Sequence, residues 1–268
     1  MLDILLLKVT HAGKENAERV LPYLEGADVF SPEAAESLTS EAEKTEEDWK
    51  KAQLSHDFEG YLSGMDLDEH QVTINSRAFN EGASLYFLER ISRPTWIKMK
   101  LMWRYCYNIL LTKADKQLAR GDIEAYLNTF YDREQKKQIY INTRDRKIAR
   151  TIDNAEQEIK RKYDSLAGKE RLKLVAPLGR RHSPERYTSF PVTVINIPSA
   201  EQNVYEELDA AIMQGRLLHP DMKQLILRIG AIKLAEQGKI PLDQKELQNM
   251  SYKHLEECIR TYCTTFTA

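Results

Sequence analysis

Three side chains that can bind a metal ion or move a proton come directly after strand-like apolar runs, namely His11, Glu33 and His182. Two neutral imidazoles and a carboxylate can hold a divalent metal and leave positions open for water, whose pKa the metal lowers. Without a metal, one histidine can act as general base on water while Glu33 fixes its tautomer. Arg144 can stabilise a developing oxyanion or hold a substrate carboxylate with two hydrogen bonds. These four residues are the candidate catalytic residues, and the first three are the candidate metal ligands.

Four strand-like segments would position these residues, near 3–10, 27–32, 172–178 and 191–197. A helix-like segment separates the first two, which predicts a strand–helix–strand unit with a right-handed crossover. Parallel strands bring their carboxyl ends to one edge, where open α/β sheets bind ligands. The sequence therefore predicts an α/β fold with a mainly parallel sheet, and we expect the candidate residues to converge at its carboxyl edge.

Helical patterns dominate the remainder of the chain. They predict a long helical insertion over about 35–163 and a helical C-terminal extension over 201–268. The α/β domain that contains the insertion would then span residues 1–200. Many of the insertion's residues are charged, so its helices are expected to be amphipathic rather than buried on all sides.

Two helices of the insertion bear on the candidate residues. One is predicted from near residue 75 to Ile91, with its end set by the approach to a proline. The other is predicted from Asn142 to Tyr163, which puts Arg144 in its first turn. Arg144 would then reach the cleft only if the amino end of this helix pointed inward, where its N–H groups would also favour an anionic substrate group.

The composition limits the classes of partner. The chain has 268 residues, of which 42% are hydrophobic, and a net charge of −2. A charge so close to zero predicts no general attraction to nucleic acid or to an anionic membrane. The apolar run Leu101–Leu111 contains Arg104 and is far shorter than the ~20 residues that cross a bilayer, so no membrane span is predicted.

The cysteine content and the N-terminal residues favour a cytoplasmic location for the protein. Cys106, Cys258 and Cys263 make neither an even set nor a CxxC pair, which indicates free thiols in a reducing compartment. The apolar start has no basic leader and is interrupted by Asp3 and Lys8, so no signal peptide is predicted. We therefore expect a cytoplasmic protein.

The order of these motifs resembles the TraB/PrgY and Tiki-like proteins, and more loosely the erythromycin-esterase-like and ChaN-like superfamily. VTHAGKENAERV is similar to the family's first Gly-x-x-His and puts His11 in the histidine position. SPE puts Glu33 at the family's acidic residue, and RDRKIA puts Arg144 at its shared arginine. Gly179 and His182 fit the second Gly-x-x-His. The resemblance implies a hydrolase of peptide or ester carbonyls that uses either a divalent metal ion or no cofactor, because both kinds of relative exist.

This chain departs from the family pattern in two places. The glycine expected three residues before His11 is Lys8, and the second turn carries Arg180 and Arg181. The resemblance covers about residues 2–197 and does not extend to the C-terminal extension. If Lys8 lies in the cleft, its ammonium would compete with a metal ion for the acidic residue.

Three hypotheses of function remain open. The first is a hydrolase, the second is a non-catalytic binding protein that retains the TraB/Tiki-like fold, and the third is an interaction protein that works through its C-terminal helices. The expected partners are a small-molecule or peptide substrate, in which Arg144 would favour an anionic group, and a second copy of the chain through residues 201–268.

Overall fold

The computed structural model describes residues 1–10, 13–33, 39–63, 65, 67–199, 204–217 and 221–264. Along the chain the elements are β1 (Leu2–Val9), α1 (Gly13–Glu18), α2 (Leu21–Leu24), β2 (Val29–Phe30), α3 (Thr39–Ser55), α4 (Phe58–Leu62), α5 (Glu69–Asn80), β3 (Ser84–Leu85), α6 (Arg93–Arg104), a π-helical turn (Tyr105–Leu110), α7 (Leu111–Ala119), α8 (Ile123–Lys162), α9 (Asp164–Ala167), β4 (Leu172–Gly179), a 3₁₀ turn (Pro184–Arg186), β5 (Val192–Asn196), α10 (Val204–Met213), α11 (Asp221–Glu236), α12 (Gln244–Gln248) and α13 (Tyr252–Thr264).

These elements form two compact units. The first contains Met1–Ile97 and Ile141–Ala200 and holds the sheet, whereas the second contains Lys98–Tyr140 and Glu201–Ala268. The division falls inside α8. Part of the predicted insertion therefore shares a unit with the C-terminal helices, and the domain boundary expected at residue 200 stays a prediction.

The sheet of the first unit has five strands in the order β3-β2-β4-β1-β5. Every pairing is parallel, and β1 pairs with β4 along its whole length, from Leu2 opposite Leu172 to Val9 opposite Gly179. The predicted α/β fold, with a mainly parallel sheet, a helical insertion and C-terminal helices, is confirmed.

The central strand β1 is apolar on both faces because helices cover both faces of the sheet. Ile4 and Leu6 pack in a cluster with Ile148 and Ile152 of α8 on one side. Alternate β1 side chains, such as Leu7, pack on the other side with residues of α3 and α5. Side chains alternate between the two faces of a strand, so a strand covered on both faces is a continuous apolar run.

The helix that carries Arg144 is much longer than predicted. α8 extends over 40 residues from Ile123, so Arg144 lies well inside it and not in a first turn. Residues 123–162 contain neither glycine nor proline, so nothing interrupts the helix near Asn142. The expectation that an inward-pointing amino end of this helix would attract an anion is therefore wrong.

The helix predicted from near residue 75 to Ile91 is confirmed over residues 75–80 and is wrong beyond them. α5 begins at Glu69, where Asp68 and Gln71 form a capping box, and it ends at Asn80. Gly82 then takes a φ of 72°, a conformation that stops a helix, and the chain enters β3. The apolar residues that follow belong to a strand and the segment after it, which carries Glu89 to the edge of the sheet.

The second unit is built from helices that share one apolar core. Leu118 of α7 and Tyr126 of α8 pack with Leu227 of α11 and Leu255 of α13. Among the helices of the described ranges, none combines the length and the apolar composition needed to cross a bilayer. The three cysteines are free thiols, as the sequence predicted.

Candidate active site at the carboxyl edge of the sheet

The structure brings three of the four candidate residues together in the first unit. Glu33 follows β2, His182 follows β4, and Arg144 approaches from α8. The Nε2 atom of His182 lies 3.5 Å from Oε1 of Glu33, and Nη2 of Arg144 lies 3.7 Å from the same oxygen. The fourth candidate, His11, lies outside the described residues.

Backbone hydrogen bonds hold Glu33 and His182 at the end of β4. The N–H group of Gly179 donates to Oε2 of Glu33 at 2.5 Å. The carbonyl of the same glycine accepts from the N–H group of His182 at 2.9 Å, which closes a tight turn. The Gly-x-x-His spacing therefore directs the imidazole towards the carboxylate at the end of the neighbouring strand.

Asp145 is a site residue that the sequence reading missed. Its Oδ1 atom lies 2.5 Å from Nδ1 of His182, and its Oδ2 atom accepts from the N–H group of Ser183 at 2.7 Å. The side chain is fully buried. A signal was present, because Asp145 directly follows Arg144 in the motif that resembles the family. Asp145, and not Glu33, is therefore the carboxylate that orients Nδ1 of this histidine.

Glu89 is the second missed residue, and it changes the role expected of Arg144. The guanidinium group donates from Nε to Oε1 of Glu89 at 2.7 Å and from Nη2 to Oε2 at 2.6 Å. Both side chains are buried. Because the paired donors of Arg144 are engaged with Glu89, the residue positions Glu33 and is not free to clamp a substrate carboxylate with two hydrogen bonds.

Lys8 lies beneath the histidine and does not contact Glu33. It is 3% exposed, and its ammonium group donates to the carbonyl oxygen of His182 and, at 3.0 Å, to Oε2 of Glu185. Burial lowers the pKa of Lys8, although the neighbouring Glu185 and Asp145 act in the opposite direction. Lys8 therefore supports the turn carrying His182 and does not compete for Glu33.

The two carboxylates around His182 favour its charged form. Burial alone lowers the pKa of an imidazole, but the hydrogen bonds with Asp145 and Glu33 outweigh it and raise the pKa of His182 to about 9. At neutral pH the ring is therefore an imidazolium whose Nε2–H faces Glu33. A buried acid in contact with a partly exposed carboxylate can pass a proton in either direction.

Two of the three predicted metal ligands, Glu33 and His182, lie among the described residues, and the third, His11, does not, so the metal centre stays a prediction. A catalytic metal site needs about three protein ligands. Nε2 of His182 would have to lose a proton whose pKa is raised to about 9, while the Arg144 cation lies 3.7 Å from the Glu33 carboxylate. Within the described ranges, no group of three or more histidine, cysteine, aspartate or glutamate side chains is arranged to hold a metal ion. No chemical step is therefore derived through a metal.

The pKa of His182 predicts how the stability of the protein depends on pH. Its folded-state pKa of about 9 lies above the ordinary value of 6.5, so its stabilising contribution is complete below pH 6.5 and is lost as the pH rises through about 9. The loss should be on the order of 3 kcal/mol in the free energy of unfolding. Urea denaturation at a series of pH values measures it.

The control for this pH profile is a histidine that lies in solvent. His182→Gln should abolish the decline attributed to this residue, whereas His254→Gln, at an exposed position of α13, should retain it. Arg144, Glu33, Asp145 and Lys8 surround the ring and stay unchanged in both variants. A decline of equal size in the two variants would assign the pH dependence to groups other than His182.

At this edge of the sheet, the imidazole ring of His182 thus lies between the carboxylates of Asp145 and Glu33. An ion pair between Arg144 and Glu89 supports the arrangement. Comparison with known proteins adds no template for it, since no protein-family model, no curated protein and no solved structure matches this chain.

Proposed function

We propose that this protein is a hydrolase that cleaves a carbonyl substrate, an ester or a peptide, by acid–base catalysis at the carboxyl edge of the sheet. One observation carries the proposal. Each ring nitrogen of the buried His182 faces a carboxylate, with Asp145 at 2.5 Å from Nδ1 and Glu33 at 3.5 Å from Nε2. An oriented histidine with a second carboxylate beside it can both donate a proton to a leaving group and recover it.

In the proposed reaction Glu33 acts as general base. Its carboxylate accepts a proton from water, and the water oxygen forms a bond to the substrate carbonyl carbon. The Nε2–H of His182 then donates its proton to the leaving alcohol or amine as the carbonyl–leaving-group bond breaks. Glu33 returns the proton it gained to Nε2, which restores both groups. Glu33 suits this role because its side chain is 19% exposed, whereas that of His182 is 5% exposed.

The other residues of the cluster are positioning residues in this scheme. Asp145 keeps the proton on Nδ1 and stabilises the imidazolium before the proton transfer. Arg144 lies beside Glu33 and is held by Glu89, so it restrains the carboxylate that faces the water. A rigid arrangement of this kind removes the cost of orienting the reacting groups during the reaction.

The motif resemblance supports the same class of function. Glu33, Arg144 and His182 match positions of the TraB/Tiki-like pattern, whose superfamily includes metal-dependent proteases and metal-free esterases. The resemblance does not choose between the two, so a divalent metal ion stays a prediction. The role of His11 stays a prediction. We further propose a cytoplasmic enzyme, which the free thiols support, that acts on a small molecule or peptide. Association of two copies through the C-terminal helices, and an anionic group on the substrate, stay predictions.

A non-catalytic binding protein is the second candidate, and Lys8 is the observation that favours it. The lysine occupies the position of a family glycine and is buried with Glu185 at the back of the turn. His182, Asp145 and Arg144 are buried as well. A network so well satisfied could stabilise a ligand-binding fold without turning a substrate over.

A substrate panel with a matched variant tests the hydrolase against the binding protein. The purified chain would be assayed against p-nitrophenyl esters of increasing acyl length and against a mixed peptide library, with and without a chelator. We expect turnover of one of these classes that survives chelation, and a loss of about 10²-fold or more in Glu33→Gln. Glu47→Gln, an exposed change on α3, should retain the activity.

Three results would overturn the proposal. Turnover that is lost on chelation and restored by divalent ions would assign the reaction to a metal. Equal activity in Glu33→Gln and the wild-type chain would remove the general base. Specific binding of a panel compound without any turnover would favour the non-catalytic binding protein.

A further inference from the structure

The segment Lys98–Lys113 departs from the near-neutral charge of the whole chain. It contains four basic residues and no acidic residue, and it spans most of α6, the π-helical turn and the start of α7. Within the described ranges, Lys98, Arg104 and Lys113 form no ion pair with a carboxylate. The local charge is therefore positive although the net charge is −2.

Two carboxylates of the same unit, Asp115 and Asp132, do not cancel the charge of this segment. Asp115 pairs with Lys233 at 2.6 Å, and Asp132 pairs with Lys136. Each of these acids already has a basic partner of its own. The unpaired cations of the segment are therefore available to a negatively charged partner.

Large apolar side chains are exposed between these cations. Leu101 is 61% exposed, Ile109 is 56% exposed, and Trp103 and Tyr105 are 40% and 38% exposed. Leu101, Tyr105 and Ile109 follow one another at intervals of four residues, so they form a row along the helix. Lys98 and Arg104 lie three residues before and after Leu101, on the same side of the helix, whereas Trp103 lies about 160° away around the helix axis. We call Lys98, Leu101, Arg104, Tyr105 and Ile109 the basic apolar face.

The core of the unit does not account for the exposed row. Met99, Cys106 and Leu110 are the buried residues of the same stretch and make its internal stripe. The exposed apolar groups are thus additional to those that fold the unit. A contiguous exposed apolar surface on a folded protein marks a place of contact with a partner or a membrane.

Trp103 packs towards the first part of α8 within the same unit and is not part of this face. It stacks on Tyr107 with ring centroids 3.7 Å apart, and its ring centroid lies 5.7 Å from that of the buried Tyr140. The ammonium group of Lys137 lies 5.5 Å from the Tyr107 ring. The side of the helix that carries Trp103 and Tyr107 is therefore partly covered by α8, whereas Leu101 and Ile109 stay exposed.

We propose that the basic apolar face docks on an anionic lipid surface. Lysine and arginine attract acidic headgroups, aliphatic side chains enter the acyl boundary, and tryptophan and tyrosine settle at the interface between them. The face contains lysine, arginine, tyrosine and aliphatic side chains and no carboxylate. Nucleic acid fits less well, because phosphates and bases leave the exposed Leu101 and Ile109 side chains in water. This attachment is peripheral and needs no membrane-spanning helix.

Sedimentation of the full chain with sucrose-loaded vesicles tests the lipid surface directly. The vesicles would be neutral phosphatidylcholine, or phosphatidylcholine with one third phosphatidylserine. We expect binding to the phosphatidylserine vesicles, and weaker binding at high salt because salt screens exposed charges. Lys98→Gln with Arg104→Gln should lower the partition coefficient by about 25-fold, or about fivefold for each cation.

A second double variant, with its own control, tests the contribution of the apolar side chains of the face. Leu101→Ser with Ile109→Ser should abolish most of the binding. Leu54→Ser removes a leucine that is 78% exposed on α3 and should bind as the wild type does. Lys14→Gln with Lys253→Gln changes the net charge by the same amount as the first pair and should also retain binding.

Three outcomes would overturn the lipid assignment. The first is equal binding to neutral and acidic vesicles in every variant. The second is binding of a single-stranded oligonucleotide with no vesicle binding. The third is a dimer in gel filtration that Leu101→Ser with Ile109→Ser dissociates, again without vesicle binding, which would assign the face to a second copy of the chain.

Discussion

Replacing His182 with glutamine should lower the turnover of the substrate found in the panel by about 10²–10⁴-fold, because the reaction loses the group that protonates the leaving atom. Glutamine can still accept or donate a hydrogen bond near Asp145, but it cannot release and recover a proton. KM should change little, since the proton is transferred in the transition state. Steady-state kinetics of the two proteins on the same substrate measure the effect.

A pH profile separates this catalytic role from a purely structural one. The pKa of His182 is raised to about 9 chiefly by its hydrogen bond to Asp145 against the effect of burial. Asp145→Asn should therefore move the alkaline loss of activity to lower pH, because a general acid must be protonated to act. His254→Gln should leave the kinetics unchanged. Normal turnover in His182→Gln, combined with a marked loss of stability, would falsify the catalytic assignment.

Replacing Arg144 with leucine should lower the free energy of unfolding by about 3–5 kcal/mol at neutral pH, because it leaves the carboxylate of Glu89 buried without its partner. Burial already raises the pKa of Glu89, and the Arg144 cation opposes that shift. Without the cation the pKa rises further, so the deficit should be largest at neutral pH. It should shrink as the pH falls and be smallest below about 4.5, the ordinary pKa of a glutamate, because the carboxyl group then becomes protonated in the unfolded state as well.

A double variant and a surface control complete this test by urea denaturation. Arg144→Leu combined with Glu89→Leu should recover most of the lost stability, since two apolar side chains can replace a buried ion pair. Arg150→Leu makes the same substitution at an exposed position of α8 and should change the stability by less than about 0.5 kcal/mol. A double variant as unstable as Arg144→Leu alone would show that the unpaired charge is not the cause.

The sequence predicts the long strands of the sheet but does not predict the short strand β3. β1 and β4 are eight-residue apolar segments buried on both faces, and that composition already indicates parallel strands between helices. β3 has two residues and no pattern of its own. Its position depends on the turn at Gly82 and on the N–H group of Leu88, which donates to the hydroxyl of Ser31 beside β2.

The sequence by itself determined that Glu33 and His182 follow parallel strands, and parallel strands deliver their carboxyl ends to one edge whatever lies between them in the chain. Only the structure decided that these two strands, β2 and β4, are neighbours. The sequence did not determine which groups would meet Glu33 and His182 at that edge. Asp145 and Glu89 reach the site through the rotation of a 40-residue helix about its axis and through a two-residue strand, and neither is encoded in a local periodicity. Only the packing of α8 on the sheet decides that Arg144 binds Glu89 while Asp145, one residue later, orients His182, because adjacent helical residues point about 100° apart.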